Sequence, residues 1–240
     1  MAFPQYEQYI GKSKEDRREL ISSNPAFERK RFFLSRNPEI KNWITGLKEV
    51  LKDAKERFPE IIGFSIYGSL TKGYAEKSSD IDLKVFFDRS KLPQEINEDI
   101  NKDGLVYILN KLAKTLSLGQ KQITNVNRDT ISKTEIKEYC QNLLKYNDQI
   151  LFIEANLHRL TDLFLLSIST ELQEYRRVCL ETLSASGEKG EIIWKKLMQL
   201  LHEFENKGFS PELKKKRLKL YPKTLAEGKK YFLHQNADIE

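Results

Sequence analysis

Cysteine is nearly missing from this chain. Cys140 and Cys179 are the only two in 240 residues, too few for a disulfide framework and without a partner at metal-ligand spacing. Each lies in an apolar helical pattern and is expected to be a small buried thiol. The three histidines, His158, His202 and His234, are scattered, which argues against a zinc site. Long apolar runs are absent too: nothing approaches the ~20 residues that a bilayer span needs. The opening MAFPQYEQYIGKSKEDRREL has no apolar stretch followed by a small-residue cleavage site. The expectation is a cytoplasmic protein with no membrane partner. Internal repeats and low-complexity linkers are also missing.

What is present is charge, and it is unevenly placed. Net charge is +6 and mean hydropathy −0.58. Between Lys207 and Lys230 stand nine Lys or Arg against Glu212 and Glu227, a local +7 that leaves 32 basic and 33 acidic residues elsewhere. Basicity is therefore a property of the C-terminal segment. The length allows one large domain or two modest ones with a real core.

Along the chain, residues 1–38 are polar and charged, with an amphipathic piece around PAFERKRFFLS, and are expected as a helical extension. From Pro38, apolar residues recur at helical spacing: Ile40, Trp43, Ile44, Leu47, Val50 and Leu51. A strand follows at 61–67, then a turn and a second strand. Pro93 opens a second long helix over roughly 94–117, ending near Gly119. QITNVN (122–127) reads as a strand. Ser132 followed by Glu135 is a capping box opening a helix through Leu144. The run Ile150–Ile153 reads as a short buried strand with Glu154 at its end. Beyond Leu157 the pattern is helical almost throughout, with Gly187 and Gly190 marking a turn and Ile193, Leu197, Leu200, Leu201 and Phe204 forming one apolar stripe.

The organising stretch is IIGFSIYGSLTKGYAEKSSDIDLKVFF, residues 61–87. Ile62, Phe64, Ile66 and Tyr67 form a β-prone run that stops at Gly68-Ser69. After Asp80 the alternation is clean: Asp80, Asp82 and Lys84 take one face, Ile81, Leu83 and Val85 the other. Two carboxylates on one face, roughly 7 Å apart along the strand, repel one another. A hard divalent cation is the common reason to keep such a pair.

Gly68-Ser69, ten residues, then Asp80-Ile81-Asp82-Leu83 resembles the signature of the nucleotidyltransferase superfamily typified by DNA polymerase β. The resemblance implies an α/β (α+β, mixed-sheet) nucleotidyltransferase domain over 39–155, after the N-terminal extension 1–38 and before an α-helical acceptor-side domain over 156–240. It implies transfer of an NMP from an NTP such as ATP to an acceptor hydroxyl, with release of pyrophosphate. Asp80 and Asp82 would hold Mg²⁺, with two ions expected. Gly68 would let the backbone approach the triphosphate. Ser69, opening a short helix, would add a hydroxyl and free N–H groups, with Lys72 or Lys77 adding positive charge. The resemblance further implies a third carboxylate, for which Glu154 is the first choice and Asp129 the second.

The acceptor stays open: an aminoglycoside-like small molecule, an RNA 3′ end or a protein side chain. The +7 segment leans slightly toward RNA, with Lys214, Lys215, Lys216 and Arg217 on one basic helix face. His158, Arg159 and Asp162 lie at helical spacing near the expected cleft, Arg159 and Asp162 also being an ordinary i, i+3 ion pair. The rival reading is a non-catalytic nucleotide- or partner-binding module of the same fold, such as an antitoxin-like regulator, with a protein partner or a homodimer.

Overall fold

A computed structural model describes residues 12–33, 38–75, 79–91, 125–146, 150–169 and 171–234. The chain opens with helix α1 (Lys14–Ser23), whose capping box joins Ser13 and Asp16. A 3₁₀ turn (Pro25–Glu28) and a non-helical segment through Phe33 follow, so residues 25–33 form no continuous helix. Asn24 caps this turn, its side chain accepting from the Ala26 N–H, and Pro25 enters where its missing donor costs nothing. The aromatics here serve packing: Phe27 and Phe33 stack at 3.5 Å and join Ile21, Tyr74, Phe209 and Leu213.

Helix α2 (Pro38–Arg57) begins at the expected proline and buries Trp43, Leu47, Val50, Leu51 and Ala54 against the sheet. The side chains of Ile40 and Ile44 lie outside the described ones. Strands β1 (Ile61–Tyr67) and β2 (Asp82–Asp88) pair antiparallel, and β3 (Asn125–Ile131) adds parallel to β2. The expected helix at 94–117 and its cap at Gly119 lie outside the described residues, as do residues 122–124 of the QITNVN segment. Helix α3 (Lys133–Lys145) starts at the Ser132–Glu135 capping box as the sequence predicts.

The next expectation fails. Ile150–Ile153 is no strand; it is the first turn of helix α4 (Ile150–Leu163). A four-residue apolar run has no period of its own. The burial that follows, at Asn156, Leu157, Leu160, Thr161 and Leu163, is helical. The missing strand is β4 (Leu166–Ser167), placed by the sequence inside a helix; by pairing antiparallel with Ser65 and Ile66 it gives the order β3-β2-β1-β4 among the described residues. A boundary at 155 thus falls within α4, and a strand from beyond it belongs to the sheet.

Four helices close the chain: α5 (Leu172–Ser184), α6 (Gly187–Glu205), α7 (Pro211–Arg217) and α8 (Leu225–His234). Gly190 lies inside α6, where a Cβ would strike the Leu183 backbone, so the glycine allows close packing of α5 and α6 rather than a turn. Together these elements bury one face of the sheet, α2 the other. Ile81, Leu83, Val85 and Phe87 face α2, and Ile62 and Phe86 face the helical side. Cys140 of α3 and Cys179 of α5 are buried in that helical core, sulfurs 3.7 Å apart. Among the described residues, no helix is long and apolar enough to cross a membrane.

Candidate functional site

Alternation along β2 sets the site's position. With Ile81, Leu83, Val85 and Phe87 turned to α2, residues 80, 82 and 84 share the opposite parity, the side covered by the later helices. Asp80 and Asp82 are half-buried at the strand's start. Tyr67, the last residue of β1, pairs directly with Asp82. Gly68 then turns the chain at φ +75°, and a Cβ on it would stand 2.9 Å from the Asp82 carboxyl carbon, with Oδ2 closer still. The two halves of the motif, fourteen positions apart in sequence, therefore touch: Gly68 is small so that the Asp82 carboxylate can lie against the turn.

Residues 68–73 form successive turns, so no short helix follows Ser69. Gly73, at φ +79°, ends the run where a Cβ would meet the backbone of Phe33. Within it the Thr71 hydroxyl donates to the Gly68 carbonyl at 3.1 Å, and the Phe33 N–H donates to the Thr71 carbonyl at 2.9 Å. Ser69 and Thr71 are buried. The N-terminal segment thus braces the turn from behind.

Lys72 donates to the Lys207 carbonyl at 2.9 Å, just past α6. Burial pushes its pKa down to about 8, the nearby charges of Arg18 and Lys207 act in the same direction, and Asp82 and Glu205 oppose them. One lysine therefore senses both the Asp82 carboxylate and two further cations from distant parts of the chain. Lys77 lies outside the described residues.

Lys84, two residues beyond Asp82, forms an ion pair with Asp162 of α4. Arg159 does not share that pair; it donates to the Tyr139 hydroxyl at 2.7 Å. His158 is exposed. Glu154 is exposed on α4, eight residues and about 12 Å of helix before Asp162. The strand that would have delivered it to the sheet does not exist. Asp129 lies in β3 opposite Phe86, four residues or about 13 Å along the strand from Asp82; the residue opposite Asp82 is Asn125. Among the described residues no group of three His, Cys, Asp or Glu side chains comes together. Asp80 and Asp82 are hard oxygen donors, and the Asp82 carboxylate lies against the Gly68 turn. That donor set fits a divalent cation.

The basic run reads differently in three dimensions. Arg217 is buried and donates to the carbonyls of Phe27, Lys30 and Arg31 and to Asn206. Lys216 pairs with Glu28 and Glu212. Nearby, Arg31 and Glu205 form a buried ion pair at 2.7 Å, to which Tyr221 also donates at 2.6 Å. This network fastens residues 27–31 to α6 and α7 and stiffens the wall facing Lys72. Sequence reading put Phe204 in the core of α6, but it is 44% exposed and its ring lies 5.8 Å from that of Tyr67.

The family model described as the nucleotidyltransferase domain matches residues 47–177, a little over half of the chain. No curated protein and no solved structure matches it.

Proposed function

The chain belongs to the nucleotidyltransferase domain family, and from that premise we propose that it moves an NMP from an NTP to an acceptor hydroxyl with Mg²⁺ bound at Asp80 and Asp82. The observation that carries the reading is the contact between the Gly68 turn and the Asp82 carboxylate. It supports the reading because an open glycine backbone lies directly beside the Asp82 carboxylate, a hard oxygen donor. In the transfer, the acceptor hydroxyl gives up its proton to water, its oxygen bonds to the α-phosphorus as the bond to the bridging oxygen breaks, and pyrophosphate leaves with the electrons of that bond. Mg²⁺ bound there would neutralise charge on the phosphate oxygens.

The protein's own groups position the donor. In this reading the turn at Gly68 and Ser69 would receive the triphosphate, and Lys72, with Arg18 and Lys207 close by, supplies positive charge on that side. Lys72 is held in place by the Lys207 carbonyl, so the charge is presented without the loss of much side-chain freedom on binding.

The acceptor is a hydroxyl-bearing molecule admitted along the helical side of the sheet. The lean toward RNA weakens, because Arg217 is committed to the fold and Lys216 is paired.

A second reading, nucleotide binding without transfer, draws on one observation: Asn125, not an acid, stands opposite Asp82, and no third carboxylate joins the pair among the described residues. Purified protein incubated with Mg²⁺, a mixture of radiolabelled NTPs and pooled acceptors (aminoglycosides, short RNAs, proteins) separates the two. The transferase reading expects pyrophosphate release that Asp80→Asn and Asp82→Asn each reduce at least about 100-fold, with melting unchanged. Tight NTP binding with no release in any pool favours the second reading. Release that survives in either mutant overturns the metal assignment.

A further inference from the structure

Helix α6 turns Leu197, Leu201 and Glu205 inward, and Phe204 falls just off that buried face. A single exposed apolar side chain needs no explanation of its own. Phe204 differs through its neighbours. Its ring lies 5.8 Å from the Tyr67 ring at an interplanar angle of 56°. Tyr67 immediately precedes Gly68 and pairs with Asp82. Three residues after Phe204, the Lys207 carbonyl holds the Lys72 ammonium. Two short segments, 67–72 and 204–207, together with Asp82 of β2, thus bring together an aromatic pair, a carboxylate, a glycine turn and a cation. Tyr67 is half-buried and backs Phe204, whose ring keeps part of its surface in water.

We propose that Phe204, supported by Tyr67, is a stacking platform for a nucleobase. The proposal rests on the reading of the Gly68–Asp82 site as a polyphosphate seat, and it adds the subsite for the heterocycle. Every base has a π-face, so a lone aromatic platform gains affinity with little preference among bases. Neither ring brings an amide or carboxylate to read a Watson–Crick edge, and weak discrimination between ATP, GTP, CTP and UTP follows. The base is that of the donor NTP or that of the terminal nucleotide of a nucleic-acid acceptor; the chemistry at Phe204 is the same.

The test measures dissociation constants of three Mg²⁺-containing probes: inorganic tripolyphosphate, ATP and a short oligoadenylate. They are compared in the parent protein, Phe204→Ala, Phe204→Leu and Phe204→Trp. Because Phe204 is outside the core, the variants are expected to melt with the parent. The proposal expects Phe204→Ala and Phe204→Leu to weaken one base-bearing probe about tenfold, Phe204→Trp to hold or improve it, and tripolyphosphate to bind equally to all four. Loss confined to ATP assigns the donor base; loss confined to oligoadenylate assigns the acceptor. If tripolyphosphate binds the parent and neither base-bearing probe responds to the substitutions, the platform falls and the polyphosphate seat stands. Equal loss in Phe204→Trp and Phe204→Ala also overturns stacking. If the parent binds none of the three, the seat and the platform fall together.

Discussion

Replacing Gly68 by Ala perturbs the contact on which the site depends, and its cost divides into two parts. The first is conformational: at φ +75° a side chain is strained, at about 1–2 kcal/mol. The second is steric. The new Cβ would stand 2.9 Å from the Asp82 carboxyl carbon, where 3.4 Å begins ordinary contact. The carboxylate must therefore retreat by at least roughly half an ångström, and further to clear Oδ2; a misplacement near 1 Å costs on the order of 100-fold in a positioned reaction. Gly187 is the matched control. It has φ +56° with nothing within 4 Å of an added Cβ, so Gly187→Ala carries the conformational part alone. On the scale of 2–4 °C per kcal/mol for a chain near this length, Gly187→Ala should lower the Tm by about 2–8 °C, and Gly68→Ala by several degrees more. Mn²⁺ affinity, read by the ion's effect on water proton relaxation, should fall 10- to 100-fold in Gly68→Ala and stay constant in Gly187→Ala. Adding Asp82→Ala removes the obstructing carboxylate, so the double variant Gly68→Ala/Asp82→Ala should recover most of the excess loss in Tm over the Asp82→Ala protein. Equal Tm values for Gly68→Ala and Gly187→Ala, with Mn²⁺ affinity unchanged, would refute the contact.

Lys72 titrates near pH 8, below the ordinary lysine value, so its ammonium form is held in the fold at a cost below pH 8 that is relieved as pH rises toward 10.5. Stability should therefore climb between pH 8 and 10, tripolyphosphate affinity should drop up to tenfold per unit above pH 8, and Lys72→Met should flatten both profiles in melting and titration calorimetry. Arg217→Ala strands the carbonyls of Phe27, Lys30 and Arg31 and the Asn206 side chain, at about 3 kcal/mol or 6–12 °C in Tm. Lys214→Ser/Lys215→Ser/Lys216→Ser should stay within about 1 kcal/mol of the parent. A large loss of oligoadenylate affinity in that triple variant, with melting intact, would return those lysines to a nucleic-acid path.

The geometry of the segment from Gly68 to Asp82 was legible because its signals are local. A strand period of two fixed the common face of Asp80 and Asp82, and a Gly-Ser dipeptide ending an apolar run announced the turn. The capping box at Ser132 placed α3 to within a residue of its end. The errors came where a short apolar run has no period to read. Ile150–Ile153 lacks the length to betray a helix, and Leu166–Ser167 is a strand only because Ser65 and Ile66 offer it an edge. Arg217 was misread for a related reason. A charge run looks solvated in sequence, and only the carbonyls of Phe27, Lys30 and Arg31, nearly two hundred residues away, turn one of its members into a buried anchor.

The wall opposite the sheet is where these distant contacts matter most. Residues 27–31 reach α6 and α7 through Arg31, Glu205, Tyr221, Asn206 and Arg217. The same N-terminal segment braces the Gly68 turn through Phe33 and Thr71. Removing one member of a buried charged network leaves the others uncompensated, at roughly 3–5 kcal/mol, so the segment cannot peel away cheaply. The Gly68 turn and the helix carrying Phe204 are consequently held to one support. Their separation is set by the fold before any ligand arrives, and preorganisation of that kind is what a cleft needs to hold a polyphosphate and a base at fixed distance.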